Sequence, residues 1–337
     1  MDEIYFNILI FGALASIFGV LLFWFLQLVF IETQKYFLSR VNKKHDRLCK
    51  FTNFLGIFFQ TICHALGYTV TKSGISSFYI DVHYGKVEPK KQKKGVFEWL
   101  SNGFLFIGPF FIPAFLLLIC LFFLTDIGME IAFFSGLEKY NYTFSQQLIK
   151  FGQNLYIFSK SFFGFLFNLD LFNPAHLGFT LLLIFLGMGI RPSYLGHKRK
   201  QKVDIFFDLK NIWQHIKEKP LYFLSIFFIF YLLFYISFFM GNNWYVKILS
   251  VFGWISIISI TSSIIAIIIL FLIEATDQMP SFFKAFSFLT IFISYIISRV
   301  IFYFILKNYS DLTNSISLLV MVLSTFFVTI FLLKKNQ

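Results

Sequence analysis

The chemistry this chain could do turns first on one histidine. Cys63-His64-Ala65-Leu66-Gly67-Tyr68 lies in the apolar segment Thr52 to Val70. Directly after it, the aromatic and β-branched residues of Ile75 to Val87, ending near Gly85, predict a short β-hairpin. A helix with two His one turn apart and a Glu between them binds Zn²⁺ and activates the metal-bound water. Here Ala65 follows His64, and Tyr68 stands one turn on. Alanine takes no proton, and a neutral phenol is a poor zinc ligand. His64 therefore reads either as a core histidine hydrogen-bonded within a helix packing or as a metal ligand completed by His83, Asp81 or Glu88. The spacing of those three matches no recognised metal pattern.

Other polar side chains stand in apolar surroundings. An Arg at mid-membrane costs about 2.5–3.5 kcal/mol on insertion scales. Arg299 either snorkels to a membrane surface or pairs inside the bundle, with Glu274 or Asp126 as distant partners. Lys284 marks the other end of the same apolar run. Asp170, Asn173 and His176 gather at the start of the run beginning with Pro174. Asp or Asn ahead of Pro reads first as helix capping, and only then as an ion or substrate site. Cys49, Cys63 and Cys120 show no paired spacing, so no disulfide framework is expected.

The elements that must position these groups are mostly apolar runs. Of 337 residues, 58% are hydrophobic, 14% are charged and 53 are Phe, a balance foreign to water-dispersed domains. Runs of about 20 apolar residues read as membrane spans. They fall near Tyr5–Ile31, Gly103–Thr125, Pro174–Ile190, Leu221–Met240, Ile248–Ile273, Phe282–Leu306 and Ser315–Leu333. The expected fold is an all-α polytopic membrane protein of about seven spans, with a re-entrant or buried motif helix and a small β-hairpin insertion. Leu155 to Leu169 reads as an interfacial helix or a short eighth span, and Val203–Trp213 as an amphipathic helix on the membrane face.

The net charge of +12 sits between the runs. It predicts contact with a lipid bilayer bearing anionic headgroups, and no nucleic-acid partner. Basic stretches flank Thr52–Val70 on both sides, so that segment is expected to dip into the membrane without crossing. The remaining spans then place the N-terminus outside, and 32–51, 71–102, 191–219 and the Lys334-Lys335 tail in the cytoplasm. In chain order the parts are 1–51, a first span and basic segment; 52–219, a core with hairpin and basic loop; and 220–337, a four-span bundle.

On His64, Leu66 and Gly67, the region from about 50 to 210 resembles the membrane-embedded zinc metalloproteases of the site-2 protease type. Their motif is His-Glu-Leu-Gly-His; here it is His64-Ala65-Leu66-Gly67-Tyr68. The order of parts also agrees: motif helix, strand pair, then a span opening with Gly108-Pro109. The later Gly187-Met188-Gly189-Ile190-Arg191-Pro192-Ser193 is similar to a Pro-Ser element in some prokaryotic relatives. The family's Leu-Asp-Gly third-ligand element is missing from the later spans. The resemblance therefore implies a pseudoprotease without catalytic residues or zinc, binding or scaffolding another membrane protein. Two alternatives stay open: a transporter or channel subunit, and an active metalloprotease with a metal site rebuilt around His64 and His83.

Overall fold

The computed structural model describes residues 6–41, 44–91, 94–125, 142–189, 205–306 and 309–335. A π-helical turn, Asn7–Phe11, runs into α1 (Gly12–Val41). Then come α2 (Asp46–Val70), the hairpin β1 (Ile75–Ile80) and β2 (Gly85–Pro89), and α3 (Val96–Leu124). The chain continues through α4 (Phe144–Phe167), α5 (Pro174–Gly189), α6 (Ile205–Glu218) and α7 (Pro220–Phe239). It ends with α8 (Trp244–Thr276), α9 (Ser281–Ile305) and α10 (Ser310–Lys335). Six stretches are long and apolar enough to cross a membrane: Asn7–Val41, Ile107–Leu124, α7, α8, α9 and α10. The protein is an integral, multi-pass, all-α membrane protein with one antiparallel hairpin.

The bundle is organised around α8. It runs parallel to α1, because the Tyr245 hydroxyl donates to the Ala13 carbonyl (2.9 Å) at one end and Arg40 pairs with Glu274 (2.9 Å) at the other. Apolar side chains gain little by exchanging lipid for protein, so helices in a bilayer associate through close backbone approach. Both partners have the small residues for it. Ala13, Ser16 and Gly19 of α1, and Ser250, Gly253, Ser256, Ser259, Ser263 and Ala266 of α8, are buried. A Cβ at Gly19 would lie 2.5 Å from the ring of Phe151 on α4, so only glycine fits there. Phe158 of α4 stacks on Trp254 of α8 (5.2 Å between ring centroids), continuing one core through Leu117, Leu121 and Leu183.

Two ends of the bundle are distinguished by their polar contacts. At the Asn7 end, the Asn7 side-chain carbonyl accepts the Phe144 N–H (2.9 Å) and the Tyr142 hydroxyl donates to the Asn242 carbonyl (3.0 Å). At the opposite, basic end, Asp277 in the α8–α9 turn meets both His45 and Lys284 at 2.8 Å. There too Trp99 of α3 stacks on His215 of α6, with ring centroids 4.7 Å apart. α2 has both of its ends at the basic end. It begins beside His45 and finishes with Thr71 bonded to Ser101, near the start of α3 (3.0 Å). Its middle packs into the bundle, Cys63 against Gly108 of α3, and α2 is not among the stretches long and apolar enough to cross.

One expected span falls short. α5 has 16 residues, about 24 Å of helix, against a hydrocarbon core of about 30 Å. The α4–α5 turn is set into the bundle. Asn168 is held by Asn314 (3.2 Å) and Ser315 (2.6 Å) near the start of α10, and Asp170 by Arg299 (3.2 Å), inside the last two turns of α9. At 1.5 Å per residue, the turn lies about 6–9 Å inside the ends of α9 and α10 at the Asn7 end. The 24-residue α4, covering the stretch expected as an interfacial helix or short span, carries the chain obliquely to that depth.

The span that Gly108-Pro109 opens, Ile107–Leu124, is the later part of a longer helix. α3 starts at Val96 and holds Pro109 and Pro113 internally, because its first turns, with Glu98, Trp99 and Ser101, precede the apolar part. The helices of 220–337 do not form a bundle of their own: α8 packs on α1, while α9 and α10 pack mainly on each other. The hairpin forms where Ile75–Val87 predicts one and runs on to Pro89, and α6 covers most of the amphipathic stretch Val203–Trp213 and continues to Glu218. Asp126, Arg191-Pro192-Ser193 and the basic run 197–202 lie outside the described residues.

Candidate functional site

Helix α2 presents two faces. Cys49, Thr52, Asn53, Gly56, Phe59, Cys63 and Gly67 recur at three- and four-residue spacing and are buried, while Phe51, Leu66 and Val70 are exposed. Gly67 is needed for close approach to α3: a Cβ there would sit 3.0 Å from the Ser101 carbonyl oxygen. The helix ends in a hydroxyl knot, where Thr71 donates to the Gly67 carbonyl (2.8 Å) and meets the Ser73 and Ser101 hydroxyls. The Ser73 N–H reaches back to the Tyr68 carbonyl (2.8 Å) and the Lys72 N–H to that of Thr69 (3.0 Å), closing a Schellman motif. Lys72 takes the left-handed position, φ 53°, that glycine usually fills. This reversal sends the chain into β1.

His64 and Tyr68 share one face of α2, a helical turn apart, with ring centroids at 5.6 Å. This is the relation two zinc-binding His would have. The buried Nδ1 of His64 has no hydrogen-bond partner among the described residues. Ala65 and Gly67 bring no polar side chain, and Leu66 faces outward.

The hairpin folds back along α2. Gly85 of β2 rests on Ile57 and Thr61, and the Asn53 amide donates to the Val82 carbonyl at the tip. Asn53 precedes His64 by about three helical turns, on the order of 16 Å along the axis. His83 is exposed at that tip, and Glu88 is engaged by Lys86 and by the Ser77 hydroxyl (2.9 Å). The structure thus keeps His83 away from His64, and Glu88 is held by the hairpin's own residues. Among the described residues, no three His, Cys, Asp or Glu side chains gather closely enough for a metal. What the hairpin offers is backbone and aromatic surface. Among the described residues the sheet has two strands, each with one edge that no strand covers, and Phe78, Tyr79 and Tyr84 are exposed.

The remaining expected residues fall in other places. Arg299 pairs with Asp170, and Glu274 instead binds Arg40 at the basic end. The Asp170 carboxylate also accepts from the Phe172 N–H (3.0 Å) and the Tyr295 hydroxyl (3.4 Å), and its own N–H donates to His176 Nδ1 (3.1 Å). Asn173 caps α5 through the Ala175 N–H (2.9 Å), as its place before Pro predicts. At the basic end, burial would raise the Asp277 carboxyl. The hydrogen bonds and charges of Lys284 and His45 outweigh that and hold it below its ordinary range. Burial against Trp99 keeps the His215 imidazole below its ordinary value, with the Trp99 backbone and the Glu218 charge pulling the other way.

Sequence reasoning passed over a seam of buried polar residues on α1 and α8, those of α1 bonded to α3 and α5. Gln27 donates to the Phe110 carbonyl (2.7 Å) and Gln34 to that of Gly187 (3.1 Å). Ser256, Ser259, Ser262 and Ser263 are wholly buried, and their hydroxyls lack partners among the described residues. The seven-residue step from Gln27 to Gln34 and from Ser256 to Ser263 was the available signal. The seam joins helices and contains no titratable side chain. No protein-family model, curated protein or solved structure matches the chain.

Proposed function

We propose that the protein is a non-catalytic membrane protein that holds an extended segment of another membrane protein against the α2–hairpin face. One observation carries this reading: an open-edged hairpin, with Phe78, Tyr79 and Tyr84 exposed, folded along a motif helix in which Ala65 and Tyr68 replace the proton-transfer and ligand groups. An open strand edge takes an extended chain through backbone hydrogen bonds, and neighbouring aromatics supply side-chain contacts. By the positive-inside rule, the basic end carrying this face is cytoplasmic, together with the Lys334-Lys335 tail, and the Asn7 end lies outside.

Two measurements test the reading. A photo-crosslinker at Phe78 in native membranes should give a discrete adduct with a membrane protein, lost in Tyr79→Pro and absent with the crosslinker at lipid-facing Phe123. No adduct at Phe78 removes the proposal. Elemental mass spectrometry of the purified protein should find no zinc with or without His64→Ala. Near-stoichiometric zinc that disappears in the variant would establish the rebuilt-metalloprotease alternative.

A further inference from the structure

The α9–α10 hairpin carries a groove of about 520 Å³ along its lipid-facing side. Phe286, Leu289, Ile293, Ile297 and Ile301 form its walls, and Ser294 and Ser324 lie among its lining residues. It extends from Phe286 to Phe302 on α9, about 24 Å at 1.5 Å per residue. Apart from Thr290, Ser294, Ser298 and Ser324 the lining is wholly apolar, a surface that suits a hydrocarbon chain. Its length also suits one: a lipid tail spans about half of the roughly 30 Å hydrocarbon core when disordered, and reaches further when straightened.

The basic end of the groove says which lipid. Val320, Ser324 and Val328 line it from α10, and Lys335, seven residues beyond Val328, continues the same face. Lys334 stands beside it, and both lysines are exposed. On α9, Lys284 precedes the first lining residue, Phe286, with its charge already taken by Asp277. The groove therefore opens toward two ammonium groups that have no ion-pair partner among the described residues, about 9–10 Å beyond Val328.

We infer that this groove is a binding site for an anionic phospholipid, with one acyl chain between α9 and α10 and the phosphate at Lys334 and Lys335. The site is independent of the reading given for the α2–hairpin face. To test it, the full chain is placed in bilayer discs of equal parts phosphatidylcholine and phosphatidylglycerol, extracted in mild detergent, and its retained lipid counted by mass spectrometry. About one phosphatidylglycerol per chain is expected, in clear excess over phosphatidylcholine. Each lysine contributes about five-fold near an anionic surface, so Lys334→Ala with Lys335→Ala should cut retention by more than ten-fold. These lysines are outside the packed interior, so their loss leaves folding intact. Ser324→Leu, which fills the groove, should abolish retention of either lipid with an unchanged size-exclusion profile. Equal retention of the two lipids, or retention unaffected by the lysine pair, overturns the site. So does a second copy of the chain cross-linked at full yield through Ser294→Cys.

Discussion

Helices α8 and α9 are both apolar enough to cross a membrane, yet they are held by different means. α8 buries a long face of Gly, Ser, Ala and Ile against α1, α3, α4 and α5. α9 buries only Ser287, Tyr295 and Ser298. Beyond its partner α10, it is fastened by side-chain bonds at two depths: Lys284 to Asp277 at the basic end, and Arg299 and Tyr295 to the α4–α5 turn. In lipid, an apolar surface alone does not hold a helix in place. The core solves this with backbone proximity, and the peripheral hairpin solves it with polar latches. Packing of the first kind fails by steric clash, and latching of the second kind by loss of charge or hydrogen bonds.

The largest expected effect breaks the core. A Cβ at Gly187 of α5 would lie 2.5 Å from the Ser262 carbonyl oxygen of α8. That is backbone, which cannot turn aside, so Gly187→Leu should cost about 3 kcal/mol or more, read as a lowered thermal midpoint of the whole protein in detergent. Arg299→Met comes next. The Arg299 and Asp170 side chains are 14% and 26% exposed, so stranding Asp170 should cost about 2 kcal/mol, less than the roughly 3–5 of a fully buried pair. Adding Asp170→Asn should recover part of that loss. Faster hydrogen exchange should be confined to α9, α10 and the 168–173 turn. Exchange rising equally in α8 would erase the distinction between the two regions.

Acid gives the smallest effect. The Asp277 carboxyl is depressed in the folded state, so its stabilising contribution is complete above its unfolded value, about 3.9. That contribution falls away as pH drops from there through the folded value. Protection of the α8–α9 turn should weaken below about pH 4, and Asp277→Asn should remove that dependence. His215, also depressed, adds a separate component: its contribution is full above about 6.5 and is lost as pH falls from there toward the folded value. That component should register at α3 and α6, and His215→Phe should abolish it.

Six of the spans and the strand pair were legible because each depends on a local pattern: apolar length and β-branched alternation. The Asp170–Arg299 pair was not. Both residues were singled out, but their meeting depends on how far the α4–α5 turn sinks into the bundle, which no periodicity encodes. The start of α3 at Val96 escaped for a similar reason. Its first turns carry Glu98, Trp99 and Ser101, which read as loop until Trp99 is seen donating to the His215 carbonyl (3.1 Å). At the candidate site the residue types were plain, and the distance between His64 and His83 was set by a hairpin that folds back along α2.

The sunken turn has a consequence for how the chain enters a membrane as it is made. Asp170 and Arg299 are 129 positions apart, so the acid is synthesised long before its counter-ion. Until α9 arrives, the turn would hold an uncompensated carboxylate within the hydrocarbon, and α5 alone is too short to pull it through. Insertion of α5 is therefore expected to be late and out of chain order. A chain truncated after residue 280 should leave a Gly178→Cys thiol open to a membrane-impermeant reagent, whereas in the full-length protein the same thiol is sealed in lipid.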